Sequence, residues 1–290
     1  MGRRIVIYLA WLLLTLLVFW RPSLALFHFS LASETASHII LVPFISLWLV
    51  FTEKKRIFQR LSFDRTLSAI LLILSALTYL SARSSETRWS PANVLSVYAL
   101  ALVLVWISGF ALVFGREASK RAHFALLFLF LAVPLPEAIL NPTIYYLQKG
   151  SADIAGLIFD LTGVPALREG FVFHLAHVNI EVAKECSGIR SSLALLILAL
   201  LVGHLFLRTF WEQAIFVIAG ILMMIIKNGV RIATLTILAQ YVDPSFLFGR
   251  LHHEGGIVFF LLGLLLLWPV LRLLQRGDKV EGVLVDTADG

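Results

Sequence analysis

The sequence has few charged residues and almost no cysteine. Charged side chains make up 14% of its 290 residues, whereas an ordinary soluble domain has about 25%. Because 59% of the residues are hydrophobic and the mean hydropathy is +0.90, the composition excludes a soluble protein and predicts an integral membrane protein. The single cysteine, Cys186, also excludes an internal disulfide.

The apolar stretches are continuous and leucine-rich rather than alternating, which predicts membrane-spanning helices. A spanning helix needs about 20 apolar residues, so we expect an all-α, polytopic transmembrane helical bundle of about eight spans. The candidate spans are Ile5–Trp20, Ala36–Phe51, Thr66–Ala82, Ala92–Gly115, His123–Leu140, Arg190–Leu207, Gln213–Ala239 and Gly256–Leu274.

Positive charge is concentrated in four short segments. These are Gly2–Arg4 with two cations, Thr52–Arg65 with five, Arg116–Arg121 with three and Arg272–Lys279 with three. Because Lys and Arg favour cytoplasmic loops, they predict a multi-pass protein of the cell inner membrane with both termini in the cytoplasm. The same rule explains the formal net charge of +6, and we predict no nucleic-acid partner.

In this topology the segment from Asn141 to Ile189 lies on the extracytoplasmic face. Its first part has apolar residues at helical spacing, which predicts interfacial or re-entrant helices that end near Gly163 and Pro165. The stretch "FVFHLAHVNIEV" then alternates apolar and polar residues and predicts a hairpin. We assign residues 1–277 to one transmembrane domain and residues 278–290 to a cytoplasmic polar tail.

Cys186 stands in "EVAKECSGIRSS", between Glu185 and Ser187, just before an apolar run. At the start of a helix, unpaired backbone N–H groups favour the thiolate, and Arg190 follows one turn later. The alternative is that Cys186 is a small buried hydrophobic residue. Ser187 and Gly188 are equally well explained by a helix cap and a tight turn.

Three polar residues, Lys227, Asn228 and Arg231, interrupt the seventh span. A cation inside a span costs at least about 2.5 kcal/mol, which makes Arg231 a candidate functional residue. Snorkelling is the alternative, but Arg231 lies about 12 Å from the outer end of the span. Lys227 shares the face of Arg231 and lies deeper, so we expect it to pair structurally with a carbonyl or an anion.

The last extracytoplasmic loop contains Asp243, Arg250, His252, His253 and Glu254. A solvated loop is the ordinary explanation of such a histidine pair. The predicted topology, however, brings a histidine of this loop to the same membrane face as the Cys186 thiol and the Arg231 guanidinium. The sequence therefore favours a Cys-His-Arg site.

Zinc is the competing chemistry, because His174, His177, His252, His253 and Cys186 could all reach this face. Their spacing argues against a zinc site. The sequence contains no Cys-x-x-Cys, and "HHE" lacks the helical histidine pair, four residues apart, of a metalloprotease. We predict neither a metal nor a cofactor.

With these residues in view, the sequence resembles the exosortase and archaeosortase family of membrane-embedded cysteine transpeptidases. The resemblance is carried, between residue 37 and about residue 260, by "SHIILVPFISLWLVFTEKKR", "LFLFLAVPLPEAI", "LTGVPALREGFVF", "VAKECSGIRSS", "KNGVRIATLTIL" and "LHHEGGIVFF". It implies that Cys186 is the nucleophile, that Arg231 stabilises the thiolate or the transition state, and that a histidine carries the proton. The family's spacing to a following glycine selects His252, with His253 adjacent.

We include Glu185, Arg190 and Asn228 as supporting residues of this site. The resemblance also implies the substrate, a secreted protein with a C-terminal sorting signal of the PEP-CTERM kind: a short motif like Pro-Glu-Pro, a transmembrane helix and a basic tail. The protein would be cleaved there and transferred to a lipid or glycolipid acceptor of the cell envelope. Two alternatives stay open: a zinc-dependent membrane protease, and a non-enzymatic transporter or scaffold for export of anionic glycolipid or exopolysaccharide.

Overall fold

The computed structural model describes residues 1–33, 35–176, 178–182, 189–247 and 256–288. The chain forms two compact units, Met1–Leu140 and Asn141–Gly290. Both are built almost entirely from helices, so the predicted all-α polytopic fold is confirmed. The division of the chain into residues 1–277 and 278–290 stays a prediction.

The first unit consists of helices joined by short connections. They are α1 (Gly2–Val18), α2 (Trp20–Ala32), α3 (Leu41–Thr52), α4 (Lys54–Ile57), α5 (Arg65–Ser84), α6 (Pro91–Phe114), α7 (Arg116–Arg121) and α8 (His123–Phe128), with a 3-10 helix at Leu129–Ala132. Helix α6 is the most deeply buried of the long apolar helices, because α1, α2 and α5 all pack against it.

Serine hydroxyls hold α5 and α6 together as an antiparallel pair. The Ser68 and Ser108 hydroxyls are 3.0 Å apart, and the Ser75 hydroxyl donates to the Ala101 carbonyl at 2.7 Å. Small side chains allow this close approach, and their hydroxyls satisfy each other inside an apolar environment. Ser90 caps the start of α6 ahead of Pro91, which explains where this helix begins.

The second unit contains a three-stranded sheet and the helices that follow it. Its elements are most of α9 (Glu137–Thr162), the strands β1 (Leu167–Glu169), β2 (Val172–His174) and β3 (Asn179–Glu181), then α10 (Ile189–Phe206), α11 (Phe210–Tyr241), a 3-10 helix at Pro244–Leu247, and α12 (Gly256–Ala288). Thr209 and Glu212 form a reciprocal capping box that begins α11.

The predicted hairpin is confirmed, and a further strand joins it. Strands β2 and β3 are antiparallel with Phe173 opposite Ile180, the pairing expected from the alternation of apolar residues. Strand β1 pairs with the other edge of β2 and was not predicted. Helix α9 ends at Thr162, and Gly163 follows with φ +68°, so the predicted break at this glycine is also confirmed.

Among the described residues, five helices are long and apolar enough to cross a membrane. Two bent pairs raise the number to at most seven: α1 with α2 at 84°, and residues 123–132 with α9 at 88°. The candidate span Ala36–Phe51 contains only the short helix α3. The structure thus supports a multi-pass membrane protein, while the count of eight spans stays a prediction.

Two apolar clusters form the core of the second unit. One joins α9 to α10, α11 and α12 through residues such as Leu195, Phe216 and Leu267. The other joins α9 to the sheet and α11, with the Phe159 and Phe173 rings edge to face at 5.2 Å. The sheet, α10 and α11 therefore share one packed scaffold, and this scaffold carries the candidate site.

Candidate active site

The structure places some of the candidate site residues and leaves others outside its described part. Arg190, Asn228 and Arg231 lie within the described ranges, as do Lys227 and His174. Outside them lie Glu185, Cys186, His252 and His253, together with His177, Arg250 and Glu254. The roles predicted for this second group stay predictions, and the site can be built from the segments that flank it.

The chain before Cys186 is fixed at Val182, four residues upstream. Val182 is 1% exposed, and its backbone N–H donates to the Phe171 carbonyl at 2.8 Å. Its carbonyl accepts a hydrogen bond of 2.5 Å from the side-chain amide of Gln148, which is itself buried in α9. Both backbone polar groups of Val182 are thus satisfied: the N–H by the Phe171 carbonyl and the carbonyl by Gln148 of α9.

The chain after Cys186 is fixed by the first turn of α10. Ile189 is buried in the apolar core, whereas Arg190 is exposed. The hydroxyl of Ser191 accepts a hydrogen bond of 2.5 Å from the Lys227 ammonium on α11. Helix α10 thus begins within one residue of Arg190, the predicted start of the sixth span. The predicted place of Cys186 at the helix start, one turn before Arg190, lies outside the described residues and stays a prediction.

Lys227 is the most deeply buried cation of the described second unit. It is 2% exposed, and its hydrocarbon chain lies 3.5 Å from the position that a Cβ on Gly263 of α12 would occupy. The sequence analysis expected a carbonyl or an anion as its partner. Among the described residues its partner is the Ser191 hydroxyl, a neutral oxygen on the neighbouring helix, and a carbonyl or anion partner stays a prediction.

Asn228 and Arg231 continue the polar face of α11. The Asn228 side-chain amide donates to the Ser151 hydroxyl on α9 at 3.0 Å, and both residues are almost completely buried. Arg231 lies one turn beyond Lys227 and is half-buried. The neighbours Lys227 and Asn228 thus bind two different helices, which fixes the rotation of α11 and with it the direction of Arg231.

A glycine lets α9 and α11 approach closely at this point. A Cβ on Gly229 would lie 2.5 Å from the Ile154 Cβ and 2.9 Å from the Ser151 carbonyl oxygen. Gln148, Ser151 and Gly229 were missed by the sequence analysis. The sequence carried a weak signal for two of them, because Gln148 and Ser151 are polar residues three apart in a segment predicted to be helical.

The sheet presents a second polar group. The His174 ring is 3.1 Å (Nδ1) from the Asn179 side-chain oxygen and 3.5 Å (Nε2) from a Glu169 carboxylate oxygen. Within the described ranges, no group of three metal-ligating side chains is found. The other histidines considered for zinc and Cys186 lie outside those ranges, so the absence of a metal stays a prediction.

The loop after α11 begins with a hydrogen-bonded carboxylate, that of Asp243. The Ser245 backbone N–H donates to the Asp243 carboxylate at 2.7 Å. This backbone hydrogen bond, together with one from the Ser245 side chain, lowers the pKa of Asp243 from its ordinary value. Asp243 therefore remains ionised at neutral pH and contributes negative charge to the loop that leads to His252.

Comparison with known families agrees with this architecture. The family model described as transmembrane exosortase (Exosortase_EpsH) matches residues 29–269. No curated protein and no solved structure matches the chain. The matched region contains the sheet, both flanks of Cys186, the polar face of α11 and the loop with His252. Because the match covers well over half of its sequence, the chain belongs to the transmembrane exosortase family.

Proposed function

We propose that this protein is a membrane cysteine peptidase and transpeptidase that cleaves the C-terminal sorting signal of secreted proteins. The observation that carries the proposal is the double anchoring of the segment around Cys186. Val182 before it is bound by Gln148, and Ser191 after it is bound by Lys227. Lys227 lies one turn from Arg231 on the same helix, so the described contacts support a thiol segment held beside a partly buried guanidinium.

In the proposed reaction, the Cys186 thiolate attacks the carbonyl carbon of the scissile peptide bond. Negative charge develops on the carbonyl oxygen, and Arg231 stabilises it through hydrogen bonds and its positive charge. The C–N bond then breaks, and protonated His252 donates its proton to the leaving amine. An amine or hydroxyl of a lipid or glycolipid acceptor then attacks the thioester and gives its proton to His252, which forms the product, releases the Cys186 thiolate and restores the protonated histidine.

Arg231 suits the stabilising role because a guanidinium remains charged at any working pH and donates paired hydrogen bonds. Its half-buried position in a membrane helix reduces competition from water, which strengthens its interaction with a developing charge. Exclusion of water also favours transfer to an acceptor over hydrolysis. His253 stays the second candidate for the proton carrier, and Glu185, Arg190 and Asn228 are proposed to support the site.

The distribution of cations supports an orientation for this chemistry. Basic segments begin α1, connect α3 to α5, form α7 and end the apolar part of α12. We place these segments and both termini in the cytoplasm. The sheet, the Cys186 segment and the loop after α11 then face the outside, where a secreted substrate and an envelope acceptor are available.

The experiment is a processing assay in membranes with a substrate that carries a sorting signal of the PEP-CTERM kind. Cys186→Ala is expected to abolish processing while the protein still accumulates, because no other thiol exists in the chain. Ser192→Ala is the matched control: its hydroxyl is buried and has no hydrogen-bond partner among the described residues. Processing by Cys186→Ala at the control rate would contradict the proposal.

A second candidate function is supported by one specific observation, the placement of two cations, Lys227 and Arg231, inside one membrane helix. Such a pair is also typical of a transporter or scaffold that binds an anionic glycolipid. This candidate predicts that Cys186→Ser keeps full biological activity, whereas the peptidase predicts its loss. The same variant therefore separates the two functions.

A further inference from the structure

A groove runs between three helices of the second unit, away from the polar face of α11. It has a volume of about 370 Å³ and lies between α10 and α12, with Phe216 of α11 at its base. Leu198 and Val202 form one wall, and Leu264 and Trp268 form the other. Its walls are apolar, and its polar groups are confined to one end, where Arg272 and Gln275 lie.

The dimensions of the groove identify the kind of molecule that fits it. Its lining extends from Leu195 to Phe206 on α10 and from Leu264 to Gln275 on α12, which is about 16 Å at 1.5 Å per residue. A groove that is apolar along this length and polar only at one end suits an acyl chain whose headgroup lies at the polar end.

The polar end of the groove carries positive charge. The Arg272 guanidinium lies 4.7 Å from the centre of the Trp268 ring, and Gln275 donates to the Phe206 carbonyl at 3.5 Å. Arg208 follows α10 by two residues, and Arg276 follows Gln275; all three arginines are exposed. Among the described residues, none of the three forms a salt bridge with a carboxylate.

The acidic residue closest in sequence to Arg208 is Glu212. Glu212 accepts a hydrogen bond from the Thr209 backbone N–H in the capping box of α11. A phosphate at the groove end would meet the Arg272 guanidinium, and guanidinium groups bind phosphate through paired hydrogen bonds. Tryptophan and arginine together at one end of an apolar groove are also typical of the level of lipid headgroups.

We propose that this groove binds one molecule of an anionic phospholipid. One acyl chain lies along α10 and α12, and the phosphate binds Arg272, with Arg208 and Arg276 adding positive charge. The lipid would join the ends of α10 and α12 and stabilise the second unit. By the proposed orientation, it comes from the cytoplasmic leaflet. This inference does not depend on the peptidase activity.

The test uses the full-length protein in a neutral detergent. Phosphatidylglycerol and phosphatidylcholine with identical acyl chains are titrated separately, and bound lipid is counted by native mass spectrometry. We expect one tightly bound phosphatidylglycerol, with an affinity at least tenfold above that for phosphatidylcholine. Equal affinities for the two lipids would overturn the proposal, as would co-purification of a polypeptide segment in the groove.

Two variants test the two parts of the site. Arg272→Gln is expected to weaken phosphatidylglycerol binding about tenfold, whereas Arg3→Gln, an exposed arginine of the first unit, leaves it unchanged. Val202→Trp fills the groove and is expected to weaken the binding of both lipids. Its control is Leu265→Trp, on a 68% exposed residue of α12 outside the groove. Unchanged phosphatidylglycerol binding in Arg272→Gln and in Val202→Trp would show that the lipid does not bind in this groove.

Discussion

Substitution of Gly229 by alanine tests the contact that positions the polar face of α11. An alanine Cβ at this position would lie 2.5 Å from two atoms of Ile154 and 2.9 Å from the Ser151 carbonyl oxygen. Neither neighbour is the free end of a flexible side chain. Because ordinary contacts begin at 3.4 Å, α9 and α11 must separate by roughly 1 Å to accept the methyl group.

The size of the effect follows from two opposing contributions. Overpacking of a tight contact costs about 1–3 kcal/mol, and replacement of a helix-interior glycine by alanine returns up to about 1 kcal/mol. We therefore expect Gly229→Ala to lower the free energy of unfolding by about 1–2 kcal/mol. Gly156→Ala in α9 is the matched control, because its Cβ would meet the Phe173 ring at an ordinary 3.7 Å.

Activity is expected to fall further than stability. The separation of α9 from α11 stretches the hydrogen bond between Asn228 and Ser151, which is now 3.0 Å, and moves Arg231 with the helix. A displacement of 1 Å in a catalytic group can cost about a hundredfold in rate. Processing should fall at least tenfold in Gly229→Ala and remain near the wild-type rate in Gly156→Ala.

The assay is reversible unfolding of both variants in mixed detergent micelles, followed by processing measured at equal protein amounts. Equal unfolding free energies for the two alanine variants, within about 0.5 kcal/mol, would refute the argument from the tight contact. Full processing activity in a destabilised Gly229→Ala would show instead that the position of Arg231 does not depend on this contact.

The remaining predictions concern single polar groups. Lys227→Met and Ser191→Ala should each slow the alkylation of Cys186 by a maleimide several-fold. Because the two residues share one hydrogen bond, the double variant should react at about the rate of the slower single variant. Arg231→Lys should lose most processing activity, since an ammonium cannot replace the paired hydrogen bonds of a guanidinium. Processing at the wild-type rate would show that only the positive charge of Arg231 is needed. His252→Ala should abolish turnover, whereas His253→Ala should retain it, because only one of the two adjacent histidines is proposed to carry the proton.

Ser192 and His253 provide the comparison variants for Ser191 and His252. Ser192→Ala is the control for Ser191→Ala in the alkylation assay and should leave the rate within about twofold. If the loss of alkylation rate in the double variant equals the combined losses of the two single variants, the two residues do not act through one shared hydrogen bond. If His253→Ala is inactive and His252→Ala is active, the assignment of the proton carrier is reversed.

The sequence predicted those features that depend on local pattern. Continuous apolar runs located the long helices, since a helix in a membrane must be apolar over most of its length. The alternation around Phe173 and Ile180 predicted the hairpin and its pairing, because side chains two residues apart share one face of a strand. The cost of a buried cation drew attention to Lys227 and Arg231, and the structure places both on one face of α11.

Features that depend on contacts distant in the sequence could not be predicted. Gln148 binds the Val182 carbonyl 34 residues away, and Asn228 binds Ser151 across 77 residues. Hydropathy carries no information on such pairs, because it describes one segment at a time. The bend of 88° before α9 was also missed, although Pro134 and Pro136 lie at this break and proline interrupts helices.

The central claim is that Cys186 forms a covalent bond to the substrate, and intact-mass spectrometry tests it most directly. The purified protein is incubated with a peptide containing a sorting signal of the PEP-CTERM kind, without acceptor, and quenched in acid. The account predicts an adduct equal in mass to the N-terminal part of the peptide minus water, released by hydroxylamine and absent from Cys186→Ala. Cleavage of the peptide with no adduct, or with an equal adduct in Cys186→Ala, would contradict it.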